Sequence, residues 1–400
     1  MQPENKTRTC NWTRWIGLVL FLSNCACHAT DYYLSRKTGN DTSDGMSPKT
    51  PWKSVARVNR TMLRPGDRVL FHSSESWPEE LRPRSSGTEE SPIIFTSYGQ
   101  GTRPILDGED DQVGENGIPV QRKDERARRV RDVAVDNNEQ SHIIYGGLEF
   151  QHVLEGVRVY SWSATVEDIT IHNCSIQTDE AVPGRDASAG VYANTKTGTI
   201  SGLHVQANHF TPFPKHLNHW GIYLVGGVSH FVIDNNTLDP SGEDAITVWH
   251  SAYGEIIHNR GGGNGENTID VKDSHDILIR DNDADLDREY NIVVHSVDFP
   301  DSTYNVHVEH NRCLRGGQGG ELTAGVALLF IQKSGIEDNV IDSAYGAGIL
   351  IKDANPNQKN WASGNRLTGN GTRQNLPAIV LQGSSTAALD SNQINRLNAP

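Results

Sequence analysis

One phrase recurs along this chain from about residue 133, and its period limits the folds open to it. A small residue is followed by alternating apolar residues, a turn, a second apolar run, then Asn and another turn. Gly221-Ile222-Tyr223-Leu224-Val225 is answered by Phe231-Val232-Ile233-Asp234-Asn235-Asn236, and Thr268-Ile269-Asp270-Val271-Lys272 by Ile277-Leu278-Ile279-Arg280-Asp281-Asn282. Phrases begin at 156, 190, 221, 245, 268, 291, 325 and 348; starts from 221 to 291 lie 24, 23 and 23 residues apart, and 325 to 348 is again 23. The longer gaps equal one coil plus roughly ten residues of loop. Short strands at constant spacing, with neither helical periodicity nor hairpin turns between them, predict a parallel β-helix over a sandwich or propeller. Each coil then stacks on the next at about 4.8 Å, with alternate apolar residues inside. An Asn at a repeated turn can hydrogen-bond the same Asn one coil away.

Aligning three coils sets a register. Glu243-Asp244-Ala245-Ile246-Thr247-Val248-Trp249-His250 lies under Glu266-Asn267-Thr268-Ile269-Asp270-Val271-Lys272-Asp273, and that under Glu289-Tyr290-Asn291-Ile292-Val293-Val294-His295-Ser296. Ile246/Ile269/Ile292 and Val248/Val271/Val294 point inward, so Thr247/Asp270/Val293 and Trp249/Lys272/His295 point out. Asp270 and Lys272 therefore share a strand, with His295 one coil above Lys272 and Trp249 one coil below. A base, a proton donor and a cation over a carboxylate are what β-elimination of a uronate requires, because the C5 proton is barely acidic until the carboxylate charge is neutralised. In this reading Lys272 is the base and His295 its partner, with Asp270 beside them, although Asp270 and Asp273 should raise the lysine pKa. Glu243, Glu266 and Glu289 stack in one column with Asp244 adjacent. Two readings stand: Ca²⁺ held by Glu243, Asp244, Glu266 and Asp273, or a solvated acidic edge.

Insertions at 179–189, 208–220 and 298–304 can wall a groove. The middle one is rich in aromatics and His, and Trp220, Tyr223, Trp249 and His250 follow as sugar-binding candidates. Lys215, Arg280 or Arg288 could pair with uronate carboxylates. Asp244 and Asp270, one coil apart, leave a hydrolytic carboxylate pair open.

Residues 1–29 read as a signal peptide: Lys6, Arg8 and Arg14 precede an apolar run, and Cys27-His28-Ala29 offers small residues for cleavage. The product would be secreted or periplasmic. Net charge is −14, or −16 without that segment, which opposes nucleic-acid binding. No phosphate-binding Gly loop joins a strand to a helix, so no organic cofactor is expected. Cys174 and Cys313 sit several coils apart, so no bridge is expected between them. Residues 30–132 differ from the repeat. Trp52, Val55, Val58 and Met62 fit one face of a short helix after Pro51, in a cap covering the end of the solenoid. Residues 121–131 form a charged loop.

Tyr33-Leu34-Ser35, Gly39-Asn40-Asp41, Asp44-Gly45, Pro51-Trp52, Pro65-Gly66-Asp67-Arg68-Val69 and Pro104-Ile105-Leu106-Asp107-Gly108, together with the repeats, resemble secreted right-handed parallel β-helix proteins of the pectate-lyase-like superfamily. The resemblance covers nearly all of residues 30–400. It implies an all-β, right-handed solenoid: 30–132 as N-terminal cap and first coils, and 133–400 as repeats. Asp270-Val271-Lys272-Asp273 is similar to the Asp-Pro-His-Asp motif of mannuronan C5-epimerases, with Lys272 at the His position and His295 near the Arg position. The β-helix lyases that use a Lys base with Ca²⁺ are the other comparison. These resemblances imply a polysaccharide lyase, a C5-epimerase, or a non-catalytic glycan-binding protein on the same scaffold. The expected partner is an acidic polysaccharide, with no nucleic acid, no stable membrane partner, and a monomeric protein.

Overall fold

The computed structural model describes residues 29–108, 131–179, 188–212, 219–299, 301–319, 322–353, 357–371, 375–383 and 385–395. Residues 1–28 of the expected signal peptide, Lys215 and most of the expected charged loop lie outside the described residues. Among the described residues, no helix is long and apolar enough to cross a membrane.

Three ladders of strands run the length of the solenoid. The first begins at Asp31–Leu34 and passes through Arg68–His72, Thr165–His172, Ala252–Ile257 and His275–Arg280 to Ala388–Asp390. The second is built of very short strands, among them Ser175–Thr178, His209–Thr211, Arg260–Gly262 and Asp283–Asp285. The third carries Glu149–Ser161, Ser188–Thr195, His219–Val225, Ile246–Trp249, Asn267–Lys272, Tyr290–His295 and Ala324–Leu329. Pairing along each ladder is parallel, and the predicted register holds residue for residue: Ile246 pairs with Ile269 and Ile269 with Ile292, Lys272 with His295. Ile246, Val248, Ile269, Val271, Ile292 and Val294 are all fully buried in the core. Branched residues suit these positions because they pack against identical neighbours on the adjoining coils.

The corner between the first and second ladders explains the recurring Asn. The chain turns through one left-handed residue, such as Asn235 (φ 54°), His258 (φ 54°), Asp281 (φ 56°) or His310 (φ 55°). The next residue is the ladder Asn. Asn208, Asn236, Asn259, Asn282, Asn311, Asn339, Asn365 and Asn392 form a continuous file, each side-chain oxygen accepting from the residue one coil before. Each amide NH₂ also donates to a main-chain carbonyl on the coil before, as Asn282 does to Ile256 at 2.8 Å. Buried turns are thereby satisfied without water.

At the N-terminal end the helix spans Val55–Asn59, capped by Ser54, whose hydroxyl accepts from Arg57 N at 3.1 Å. Trp52, Val55 and Val58 are buried, and Trp52 stacks on Tyr32 at 4.5 Å. Met62 departs from expectation. The helix ends before it, closed by Thr61 N donating to Val58 O, and Met62 is 70% exposed. Cys174 and Cys313 are buried free thiols, as expected.

Candidate active site

The third ladder gathers the expected residues on its outer face. Asp270 sits at the centre, only 2% exposed. Its Oδ2 meets Lys272 Nζ at 2.8 Å and its Oδ1 accepts from His295 Nε2 at 2.8 Å. Outward-pointing is therefore not exposed here: Thr247, Asp270 and Val293 are all buried by side chains on neighbouring rungs. Lys272 and His295 keep 21% and 24% of their side chains open. Because the carboxylate accepts from His295 Nε2, the neutral imidazole carries its proton there and leaves Nδ1 as the lone-pair nitrogen.

The electrostatics bear on the role expected of Lys272. Burial alone would lower its pKa, but the Asp270 and Asp244 carboxylates raise it well above the usual lysine value. A raised pKa keeps the ammonium protonated, which favours a cationic over a basic role. Burial opposes ionisation of Asp270, yet His295 and Lys272 outweigh it and hold its pKa below normal. Asp244, 1% exposed, goes the other way: burial, then the Asp270 charge, raises its pKa well above the carboxylate range. Its oxygens accept from Thr247 Oγ1 at 2.6 Å and from Asn267 Nδ2 at 2.8 Å.

The glutamate column forms as expected, with Glu266 N donating to Glu243 O and Glu289 N to Glu266 O. Burial, then Glu243, Glu289 and Asp270, push the Glu266 pKa up to about 7. Protonation is thus one way the stack relieves its own repulsion. Among the described residues the column does not bring three ligand atoms within 4.8 Å of one another; His250, Asp273 and Asp298 do. Asp273, however, already accepts from Ser302 Oγ at 2.5 Å, Val297 N at 2.9 Å, Trp249 Nε1 at 3.0 Å and Asp298 N at 3.1 Å. Burial works against this carboxylate, but those donors hold its pKa below normal. Asp273 anchors the loop that follows His295.

The remaining candidates divide. Trp249 lies beneath the Lys272 ammonium at 5.4 Å. Trp220 stacks on Tyr223 at 4.5 Å. Burial pushes the Tyr223 pKa up to about 12 although Lys272 pulls it down, so the phenol stays protonated beside the centre. His250 is exposed and pairs with Asp298 at 3.1 Å. Arg288 lies in the turn before Tyr290–His295, against Gly319, and is not part of the Lys272 group. Arg280 is on the first ladder, paired with Asp281 and Glu309, away from this face. Tyr192 and the Glu155–Arg158 pair belong to the face but escape single-coil reading. Tyr192 stands two residues after Gly190 as Tyr223 does after Gly221, and that repeat position is the signal for it.

A pH effect follows from Glu266. Its folded pKa lies above the unfolded carboxylate value, so the folded chain binds the extra proton. Its stabilising contribution is complete below about pH 4 and is lost as pH rises through about 7. Asp287, raised to about 7 by burial, acts with the same sign. Melting temperature is expected to fall between about pH 5 and about pH 8, and Glu266→Gln to flatten that slope. An unchanged slope in the variant would remove Glu266 as its source.

Comparison with known proteins bears on this geometry. The family model described as "Periplasmic copper-binding protein (NosD)" matches residues 201–399. Both thiols are buried in the core, and in the His250, Asp273 and Asp298 group Asp273 already accepts from Trp249 and Ser302. A curated lacto-N-biosidase of Bifidobacterium longum subsp. longum is 23% identical over 349 residues, 78% of this chain and 20% of that protein. The chain thus spans about a fifth of the length of this curated relative. The GH136 lacto-N-biosidase of Eubacterium ramulus superposes with a TM-score of 0.63 at 17% identity, over 92% of this chain and 68% of the other. The A-module of the Azotobacter vinelandii mannuronan C-5 epimerase AlgE4 gives 0.52 at 12% identity, over 84% and 88%. Three parallel ladders, an asparagine file at one corner and these superpositions lead to one conclusion: the chain has the parallel β-helix fold that these solved structures share.

Proposed function

We propose that the chain is an extracytoplasmic enzyme acting on a uronate-containing polysaccharide by abstracting the C5 proton. The observation that carries this is the shared carboxylate: Asp270, buried, accepts from both His295 and Lys272, leaving an imidazole and an ammonium side by side on the open face. The Lys272 ammonium pairs with the uronate carboxylate and makes C5–H acidic. His295 Nδ1 takes that proton, while Asp270 holds the ring in the required tautomer. In elimination the electron pair forms the C4–C5 double bond, the C4–O bond breaks, and the leaving oxygen takes a proton from Tyr223 or the imidazolium. In epimerisation a proton returns to C5 on the opposite face. The fold shared with an epimerase module supports a uronate reading; a divalent cation at the glutamate column is a further proposal.

A second reading is favoured by the divided carboxyls. Asp244 protonated and Asp270 ionised resemble the acid and its partner in glycoside hydrolysis, and both lacto-N-biosidase relatives are named as glycosidases. Against it stands the near-complete burial of both groups.

The test is product chemistry on alginate, pectate and neutral glycans, with calcium and with chelator. An ultraviolet-absorbing unsaturated uronate, abolished in Lys272→Ala, supports elimination. Inverted C5 protons by NMR support epimerisation. New reducing ends without ultraviolet absorbance transfer the assignment to Asp244 and Asp270. Activity unchanged by chelator removes the cation.

A further inference from the structure

Beyond the acid–base group, toward the N-terminal end, the same face opens into a cleft of about 150 Å³ lined by Glu155, Ser188, Ala189, Tyr192, Trp220 and Tyr223. Its walls are aromatic: Trp220 and Tyr223 are stacked, and Tyr192 lies 5.8 Å from Tyr223. Its polar groups are spoken for in a way that excludes charge. Arg158 Nε and Nη2 are bound to the Glu155 carboxylate at 2.6 and 2.9 Å, so this cation neutralises its own partner. Ser188 Oγ is engaged with the buried His219. Tyr192 accepts from Asn194 Nδ2 at 2.5 Å, which leaves its O–H to donate outward.

The cleft is continuous with the reacting centre. Tyr192 pairs with Tyr223, Tyr223 with Thr247, and Thr247 with Asp270. Trp220 and Tyr223 are therefore two rungs from Asp270, about 10 Å along the axis, and Tyr192 three rungs, about 14 Å. That is the reach of a short oligosaccharide laid along the solenoid. An anionic ring placed here would face Glu155 with no free cation among the described cleft residues, at a desolvation cost. An uncharged pyranose places its C–H face on the aromatic rings and its hydroxyls against the phenols.

We infer that the Tyr192/Trp220/Tyr223 cleft is a subsite for an uncharged sugar about two coils from the bond that reacts. This rests on the proposed glycan-directed function and adds that the polymer is mixed, neutral units alongside the unit at Lys272.

The test is direct binding, read by calorimetry on the full chain and on His295→Ala, so that turnover does not intervene. The probes are uncharged hexose and N-acetylhexosamine oligosaccharides and, separately, oligouronates. The expected result is binding of an uncharged oligosaccharide that weakens at least about tenfold in Trp220→Ala and in Tyr192→Ala, and is retained in Trp220→Phe. The Phe variant also separates lost stacking from lost folding. Binding of oligouronates alone, or uncharged binding indifferent to Trp220→Ala and Tyr192→Ala, overturns the subsite. Uncharged binding that holds in His295→Ala, while the wild-type chain shows no C5 chemistry on any uronate, keeps the subsite and overturns the reaction instead.

Discussion

His295→Ala is expected to lose the C5 reaction by about 10²- to 10⁴-fold in kcat, the range that a positioned general base contributes. The melting temperature should fall as well, because buried Asp270 then keeps Lys272 alone as its counter-charge. Lys272→Ala is expected to cost a comparable factor by a different route. It removes the charge that makes C5–H acidic and leaves Asp270 with one partner where it had two. Lys272→Arg discriminates the two roles. A guanidinium is never a base at accessible pH, so if Lys272 acts as the cation the arginine chain keeps measurable turnover, and if it acts as the base it keeps none. Asp270→Asn completes the series: the amide oxygen accepts from only one of the Lys272 ammonium and the His295 Nε2–H while its NH₂ opposes the other, so either the lysine pair or the tautomer of the ring is lost. Kinetics of these four variants on the substrate that gives product decide the assignment. A His295→Ala chain with wild-type kcat would end the role of His295, whatever Lys272 did.

This assignment differs from a sequence reading for a definable reason. The register was legible because three coils follow one another at 23 residues without insertion, so Ile246, Ile269 and Ile292 could be superposed by arithmetic and the pairing confirms them. The asparagine file was legible for the same reason. What arithmetic cannot supply is protonation. Lys272 reads as a base from its residue type although Asp270 and Asp273 beside it in the sequence oppose that role, and the stacking adds Asp244 from the coil below. Nor does a period of two show that an outward position is covered. Asp270 and Thr247 are buried by their neighbours along the axis, which a strand read singly does not reveal. Tyr192 and Glu155 were missed because the long loops at 179–189 and 208–220 break the period there. Arg280 and Arg288 were grouped with the site on charge alone, and the three-sided coil sends Arg280 to another face.

The second large effect concerns the scaffold that holds the pair one rung apart. Asn282 is buried, donates to Ile256 O and to Asn311 Oδ1, and accepts from Asn259 N at 2.9 Å and Asn259 Nδ2 at 3.1 Å. Asn282→Ala strands a carbonyl and two N–H groups where water does not reach, while Asn311 Oδ1 keeps the backbone N–H of residue 282. At about 1–3 kcal/mol for each buried group left unpaired, partly recovered by relaxation, the loss is roughly 3–5 kcal/mol. Asn392, the last of the file among the described residues, serves only the preceding coil and is half-buried, so Asn392→Ala should cost about 1 kcal/mol. In a solenoid each coil touches only its neighbours, so the mid-file loss need not lower the whole molecule evenly. Amide hydrogen exchange should show faster opening confined to the coils that share Asn259, Asn282 and Asn311, with the N-terminal coils unchanged. Those coils present Asp270, Lys272 and His295 on their other side, so activity should fall with protection there. Equal destabilisation by the two variants, or exchange that speeds up uniformly along the chain, would mean that the file does not act coil by coil and that the spacing of Lys272 and His295 is held by the apolar core alone.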